Sequence, residues 1–69
     1  MADLISPIGG RIQEINVKVG QIITEDDEAF IIEAIKMENV VYGEPGVVKE
    51  ILVKEGDQVE EDAVLAVVE

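Results

Sequence analysis

The sequence predicts an all-β fold, a small two-sheet sandwich or flattened barrel made of two similar halves of about four short strands each. Three observations predict it. Valine and isoleucine dominate a hydrophobic fraction of 48% that contains one Phe, one Tyr and no Trp. That balance suits a small pleated core better than a helical bundle. Residues 10–33 and 46–69 align without a gap at a constant offset of 36. Turn residues recur at intervals of about 8–12 along the chain, the spacing of short strands in a sandwich or barrel.

The repeat is specific in its residues. Gly10 matches Gly46, Glu14 matches Glu50, Ile15 matches Ile51, Val17 matches Val53, Lys18 matches Lys54 and Gly20 matches Gly56. Ile12/Val48, Ile23/Val59, Ile31/Val67 and Ile32/Val68 are like for like. Lys36 lies between the copies and has no counterpart, so the repeat that explains Lys18 and Lys54 leaves Lys36 unexplained.

Composition sets outer bounds. The 69 residues read as one domain, 1–69, near the lower size limit for a core without staples. With no Cys and no His, neither a disulfide framework nor an ordinary zinc site is available, and no metal site is expected. A net charge of −11 repels nucleic acid and anionic membrane alike. No apolar run approaches the ~20 residues of a membrane span, and Met1-Ala2-Asp3-Leu4 lacks the basic region of a secretory signal. A soluble cytoplasmic protein, monomeric in isolation, is the expectation.

Leu4 to Pro7 reads as a first strand, ended or held at an edge by Pro7, and Ile8-Gly9-Gly10 as a turn. Apolar residues then fall at Ile12 and, after a break in phase, at Ile15, Val17 and Val19 in strand alternation. Val48, Ile51 and Val53 repeat the break, which predicts a bulge in both copies. Gly20-Gln21 and Gly56-Asp57 are matching turns. Ile22-Ile23 and Val59 are matching short strands, and Thr24 to Glu28 and Glu60 to Asp62 are acidic loops read as solvated faces. Ala29 to Tyr42 is too long for one strand. A fold-back at Ile35-Lys36 divides it into Ala29–Ala34 and Met37–Tyr42, although those residues are not the Asn-Gly or Asp-Gly of a tight hairpin. A short helix over Glu33 to Glu38 is the rival reading; the flanking Phe30-Ile31-Ile32 and Asn39-Val40-Val41-Tyr42 favour strands. Glu44-Pro45-Gly46-Val47 has the pattern of a type II turn, and Val64 to Glu69 closes the second copy. A pseudo-twofold relation between the copies would put the Lys36 turn and the chain termini at opposite ends.

With these residues in place, the chain resembles a known family. Ala34-Ile35-Lys36-Met37, between Glu33 and Glu38-Asn39, is similar to the Ala-Met-Lys-Met attachment sequence of biotinyl domains. Ser6-Pro7 with Gly10 resembles the family's Pro-x-x-Gly stretch, and Gly46-Val47-Val48 its matching half. Val53 to Val59 resembles the family's Val-x-x-Gly-Asp-x-Val turn. The resemblance covers essentially the whole chain. It implies the barrel-sandwich hybrid fold of biotinyl and lipoyl domains, with the modified lysine on a protruding hairpin. It implies a biotin carboxyl carrier rather than an enzyme, with biotin joined to Lys36 and recognition by flanking Glu33, Ala34, Ile35, Met37 and Glu38. The partners it implies are a biotin protein ligase, an ATP- and bicarbonate-using biotin carboxylase, and a carboxyltransferase or decarboxylase. Ile35 departs from the usual Met, which in the family bears on carboxylation more than on attachment. Ile8-Gly9 stands where Met-Pro is frequent, and the gapless halves leave no room for the "thumb" of some bacterial carriers. Lipoyl domains carry Asp-Lys-Ala where this chain has Ile35-Lys36-Met37, so a lipoyl carrier is the second reading. An unmodified structural or interaction module is the third.

The chemistry agrees with presentation rather than reactivity as the selector. Ordinary lysine amines are protonated at neutral pH, so Lys18, Lys36, Lys49 and Lys54 do not differ in intrinsic nucleophilicity, and a hairpin tip offers the most open approach. Once attached, a cofactor carries the hard chemistry and the protein positions it. Met37 has two readings, a filler of a core gap or an exposed contact beside the lysine. Glu33 and Glu38 resemble a catalytic carboxylate pair, but nothing else in the chain suggests the substrate pocket that general acid/base catalysis needs. They read as exposed recognition residues.

Overall fold

The protein, in a computed structural model describing residues 2–69, is built from strands, turns and bends. The strands are β1 (Ala2–Ile5), β2 (Gly10–Ile15), β3 (Ile22–Ile23), β4 (Glu28–Ala34), β5 (Met37–Tyr42), β6 (Gly46–Ile51), β7 (Gln58–Val59) and β8 (Val64–Val68). They form two four-stranded antiparallel sheets, ordered β1-β8-β6-β3 and β5-β4-β2-β7. This is the expected flattened barrel of the barrel-sandwich type, and among the described residues no helix is long and apolar enough to cross a membrane.

The sequence repeat is the sheet repeat. Replacing β5, β4, β2 and β7 by β1, β8, β6 and β3 converts one strand order into the other. The predicted bulge is present twice: β2 shifts register against β4 between Ile12 and Glu14, and β6 against β8 between Val48 and Glu50. The halves also interlock. The Gly20 N–H donates to the Val48 carbonyl and the Gly56 N–H to the Ile12 carbonyl, each at 2.7 Å. Each half's glycine turn is thus anchored on the other half, so neither copy closes its own sheet.

The core lies between the sheets and contains Leu4, Ile12, Val17, Ile23, Ala29, Phe30, Ile32, Val41, Val48, Val59, Leu65, Ala66 and Val68. Its repeat pairs exchange bulk. Ala29 and Phe30 in one half correspond to Leu65 and Ala66 in the other, all four fully buried. A large residue beside a small one is kept in both copies with the order reversed, which fills the space without doubling a bulge of volume.

Three local expectations are corrected. β2 ends at Ile15, so Val17 and Val19 do not continue it. Gly20, with φ 92°, bends the chain into a turn in which the Gln21 N–H donates to the Lys18 carbonyl at 3.1 Å. Val17 still reaches the core, whereas Val19 is 62% exposed. Pro45-Gly46 does not close a type II turn, because the Val47 N–H donates to the Glu69 carbonyl across the sheet at 2.8 Å. The first strand runs from Ala2 to Ile5 and stops before Ser6 and Pro7.

Candidate functional site

β4 and β5 form a hairpin whose last pair is Ala34 with Met37, leaving Ile35 and Lys36 as its two central residues. Strands rather than a helix therefore flank the lysine. The usual two-residue hairpin turns need positive φ at the first central position, and type I′ at both. Here Lys36 alone takes it, at 58°. A β-branched residue is a severe outlier in that region, so with Ile35 first the left-handed conformation falls on the lysine. That conformation costs an L-residue roughly 1–2 kcal/mol. Ile35 is 89% exposed, and Lys36 takes part in neither ion pair found among the described residues, Arg11–Glu33 and Lys49–Glu69.

Beneath the tip, one residue from each strand of the sheet falls in a row: Glu38 pairs with Glu33, Glu33 with Arg11, and Arg11 with Gln58. Two carboxylates directly opposite repel. The Arg11 guanidinium opposes that repulsion, with its Nη2 2.9 Å from Glu33 Oε1. The row, residues 34–37 and the Gly9-Gly10 backbone line an open groove of about 870 Å³. Gly10 is required where β2 meets β4, because a Cβ there would stand 2.5 Å from the Glu33 carbonyl oxygen.

Glu33, Ala34, Ile35, Lys36, Met37 and Glu38, all singled out from the sequence, line this one groove. Met37 is 58% exposed, so it does not fill a core gap. Gly9, Gly10, Arg11 and Gln58 also line it and were not legible as site residues. The available signal was a break in the repeat, since Arg11 corresponds to Val47 and Gln58 to Ile22.

The other lysines are placed differently. Lys49 lies in β6 with its Nζ 3.0 Å from Glu69 Oε2. Lys18 and Lys54 open the two glycine turns, where their backbone N–H groups donate to Gln21 Oε1 and Asp57 Oδ2. Lys36 alone occupies a central position of a hairpin tip.

Comparison with known proteins agrees with this geometry. The family model described as "Biotin-requiring enzyme" matches residues 2–68. The chain is 39% identical over 67 residues to the mitochondrial propionyl-CoA carboxylase alpha chain of Sus scrofa, covering 96% of this chain and 9% of that protein. It is 41% identical over 59 residues to the biotin/lipoyl attachment protein of Bacillus subtilis (strain 168), covering 84% of this chain and 81% of that one. The crystal structure of the Kluyveromyces lactis urea carboxylase matches with a TM-score of 0.87 at 38% identity, over 97% of this chain and 6% of that chain. The chain thus spans less than a tenth of the carboxylases it matches. The chain belongs to the biotin/lipoyl family, and its similarity to segments of biotin-dependent carboxylases supports a carrier domain of that class.

Proposed function

We propose that residues 1–69 act as one biotin carboxyl carrier unit, without catalysis of their own, in which the Lys36 ε-amine is joined to biotin through an amide. The observation that carries this reading is the placement of Lys36, central in a two-residue hairpin turn and outside both ion pairs, within the sequence Ala34-Ile35-Lys36-Met37. A ligase partner selects Lys36 by the backbone that displays it, with Glu33, Ala34, Ile35, Met37 and Glu38 around it as the recognition surface. Ile35 and Met37, both exposed, give that surface an apolar contact on either side of the amine.

The groove fits the group chemically. Biotin's head is a cyclic urea, and the row below the tip offers it guanidinium and amide donors and a carboxylate acceptor. When bound, biotin supplies carriage of a carboxyl group between a biotin carboxylase and a carboxyltransferase or decarboxylase. The hairpin turn displays the tethered lysine, and tethering raises the effective concentration at each partner site. The Bacillus relative is a biotin/lipoyl attachment protein, so a lipoyl carrier is the second reading.

Intact mass with site mapping tests the proposal, after co-expression with a biotin ligase in biotin-supplemented medium, beside Lys36→Arg. One biotinyl group on Lys36, absent from the variant, is expected. No modification, or biotin on Lys18, Lys49 or Lys54, would refute it, and repetition with a lipoate ligase would then decide between the second reading and a structural module.

A further inference from the structure

The row beneath the hairpin differs between the two halves in a way that folding does not require. Around Lys36 it contains Glu33, Arg11 and Gln58, whereas the corresponding row of the other sheet contains Glu69, Val47 and Ile22. The same backbone therefore forms with apolar residues in place of the arginine and the glutamine.

Both halves nonetheless place a cation against the equivalent glutamate, from different positions. Glu69 is met by Lys49, the residue at the bulge of β6, while Glu33 is met by Arg11. The first-half equivalent of Lys49 is Gln13. In the half that carries the tip, the cation thus stands in the groove row rather than at the bulge. Both side chains of the Arg11–Glu33 pair are about half exposed, at 54% and 48%. An ion pair so exposed stabilises a fold very little, so beyond offsetting the Glu33–Glu38 repulsion the pair is free to serve a ligand.

We infer that the Arg11–Glu33 pair, with Gln58 beside it, is a docking site for a cyclic urea, occupied by the head of the biotinyl arm when it folds back from Lys36. This rests on the carrier reading. The edge of a cyclic urea presents an N–H next to a carbonyl oxygen. The ion pair presents the complementary types side by side, a guanidinium donor and a carboxylate acceptor whose own contact joins Nη2 to Oε1 at 2.9 Å. Arginine has five N–H donors and the contact to Glu33 uses one on Nη2, leaving others for the urea oxygen. Gln58 pairs with Arg11 in the register and adds an amide at the far end of the row. Reach is sufficient, because Lys36 is three positions along the chain from Glu33, at most roughly 11 Å, and an extended biotinyl-lysyl arm is longer. The gain from each exposed hydrogen bond is small, but the tether keeps the local concentration of urea high. The head group is therefore held against the domain between visits to its partners. A lipoyl dithiolane has neither the N–H nor the carbonyl and finds no complement here.

The test uses the isotopically labelled 69-residue chain in unmodified, biotinylated and lipoylated forms, with loading on Lys36 verified by mass. Amide NMR shifts are compared among the three. Biotinylation is expected to move the Gly9, Gly10 and Gln58 resonances as well as those of residues 34–38, and lipoylation only the latter. Arg11→Val, which installs the residue used at the corresponding position of the other half, is expected to keep the tip shifts and lose the remote ones. Arg11→Gln, which removes the guanidinium while keeping a polar side chain, is expected to do the same and decides the matter should Arg11→Val not fold. Biotin shifts confined to residues 34–38, or remote shifts that persist in the variants or appear equally with lipoate, would overturn the docking site while leaving the carrier reading intact. An unmodified Lys36 would overturn both.

Discussion

Replacing Lys36 by glycine should make the domain more stable. Lys36 has φ 58°, a left-handed conformation that costs an L-residue roughly 1–2 kcal/mol. Glycine removes that cost but loses more conformational freedom on folding, a penalty of roughly 0.5–1 kcal/mol. The expected net gain for Lys36→Gly is therefore about 0.7 kcal/mol, within bounds of about 0–1.5 kcal/mol. Asparagine, several-fold enriched at positive φ, should gain slightly less. Lys36→Ala keeps the Cβ and the strain and should be neutral. For a domain of this size 1 kcal/mol moves the midpoint by about 4–8 °C, so thermal unfolding followed by circular dichroism resolves the order Gly above Asn above Ala and Lys. Urea unfolding checks it, because the gain should raise the midpoint concentration at constant m. Equal stability of the glycine and alanine variants would show that the turn does not hold its lysine in the left-handed region in solution. The stabilised variants would carry no acyl acceptor at the tip, so under the proposed function the strain is the stability given up for the site.

Two further outcomes follow from packing. In Gly10→Ala the new Cβ would stand 2.5 Å from the Glu33 carbonyl oxygen, and in Gly46→Ala 2.5 Å from that of Glu69, where φ is also 149°. Forcing those strand pairs apart should cost about 1–3 kcal/mol, more for Gly46→Ala, read as a lower urea midpoint for both. Phe30→Ala empties the largest fully buried side chain and should cost about 3–5 kcal/mol. Against a total of roughly 3–10 kcal/mol for 69 residues, loss of the native circular dichroism signal at 37 °C is expected.

What was legible in the sequence was whatever the repeat or the period of two displays. The paired phase breaks predicted both bulges because an extra residue shifts the apolar set by one position, and that shift is visible in the letters. The fold-back at Ile35-Lys36 was legible only from length, since the turn residues themselves argue against it. Val19 shows the limit. Its alternation with Val17 continues a strand pattern, but Gly20 turns the chain before the pairing can form, and one exposed valine costs little. Pro45-Gly46 has turn chemistry, yet the glycine is there because β6 must pass close to Glu69. Close approach between distant strands leaves no local trace, and for the same reason Gly9, Gly10 and Gln58 were not legible as neighbours of Lys36.

The repeat also separates what the fold needs from what the site adds. Features present in both halves belong to the fold: the close-approach glycines Gly10 and Gly46, the two bulges, the turns at Gly20 and Gly56, and the pairing of a large with a small residue at 29–30 and 65–66. Each is enforced by sterics at two places in one chain. Features present once are not so enforced. Lys36 with its left-handed φ, the exposed Ile35 and Met37, and the cation moved to Arg11 occur only at the hairpin end. The hairpin residues share a groove with Arg11, which lies far from them in sequence. A single chain thus contains its own control, and two of the residues that depart from it, Arg11 and Gln58, stand in the groove beside the lysine.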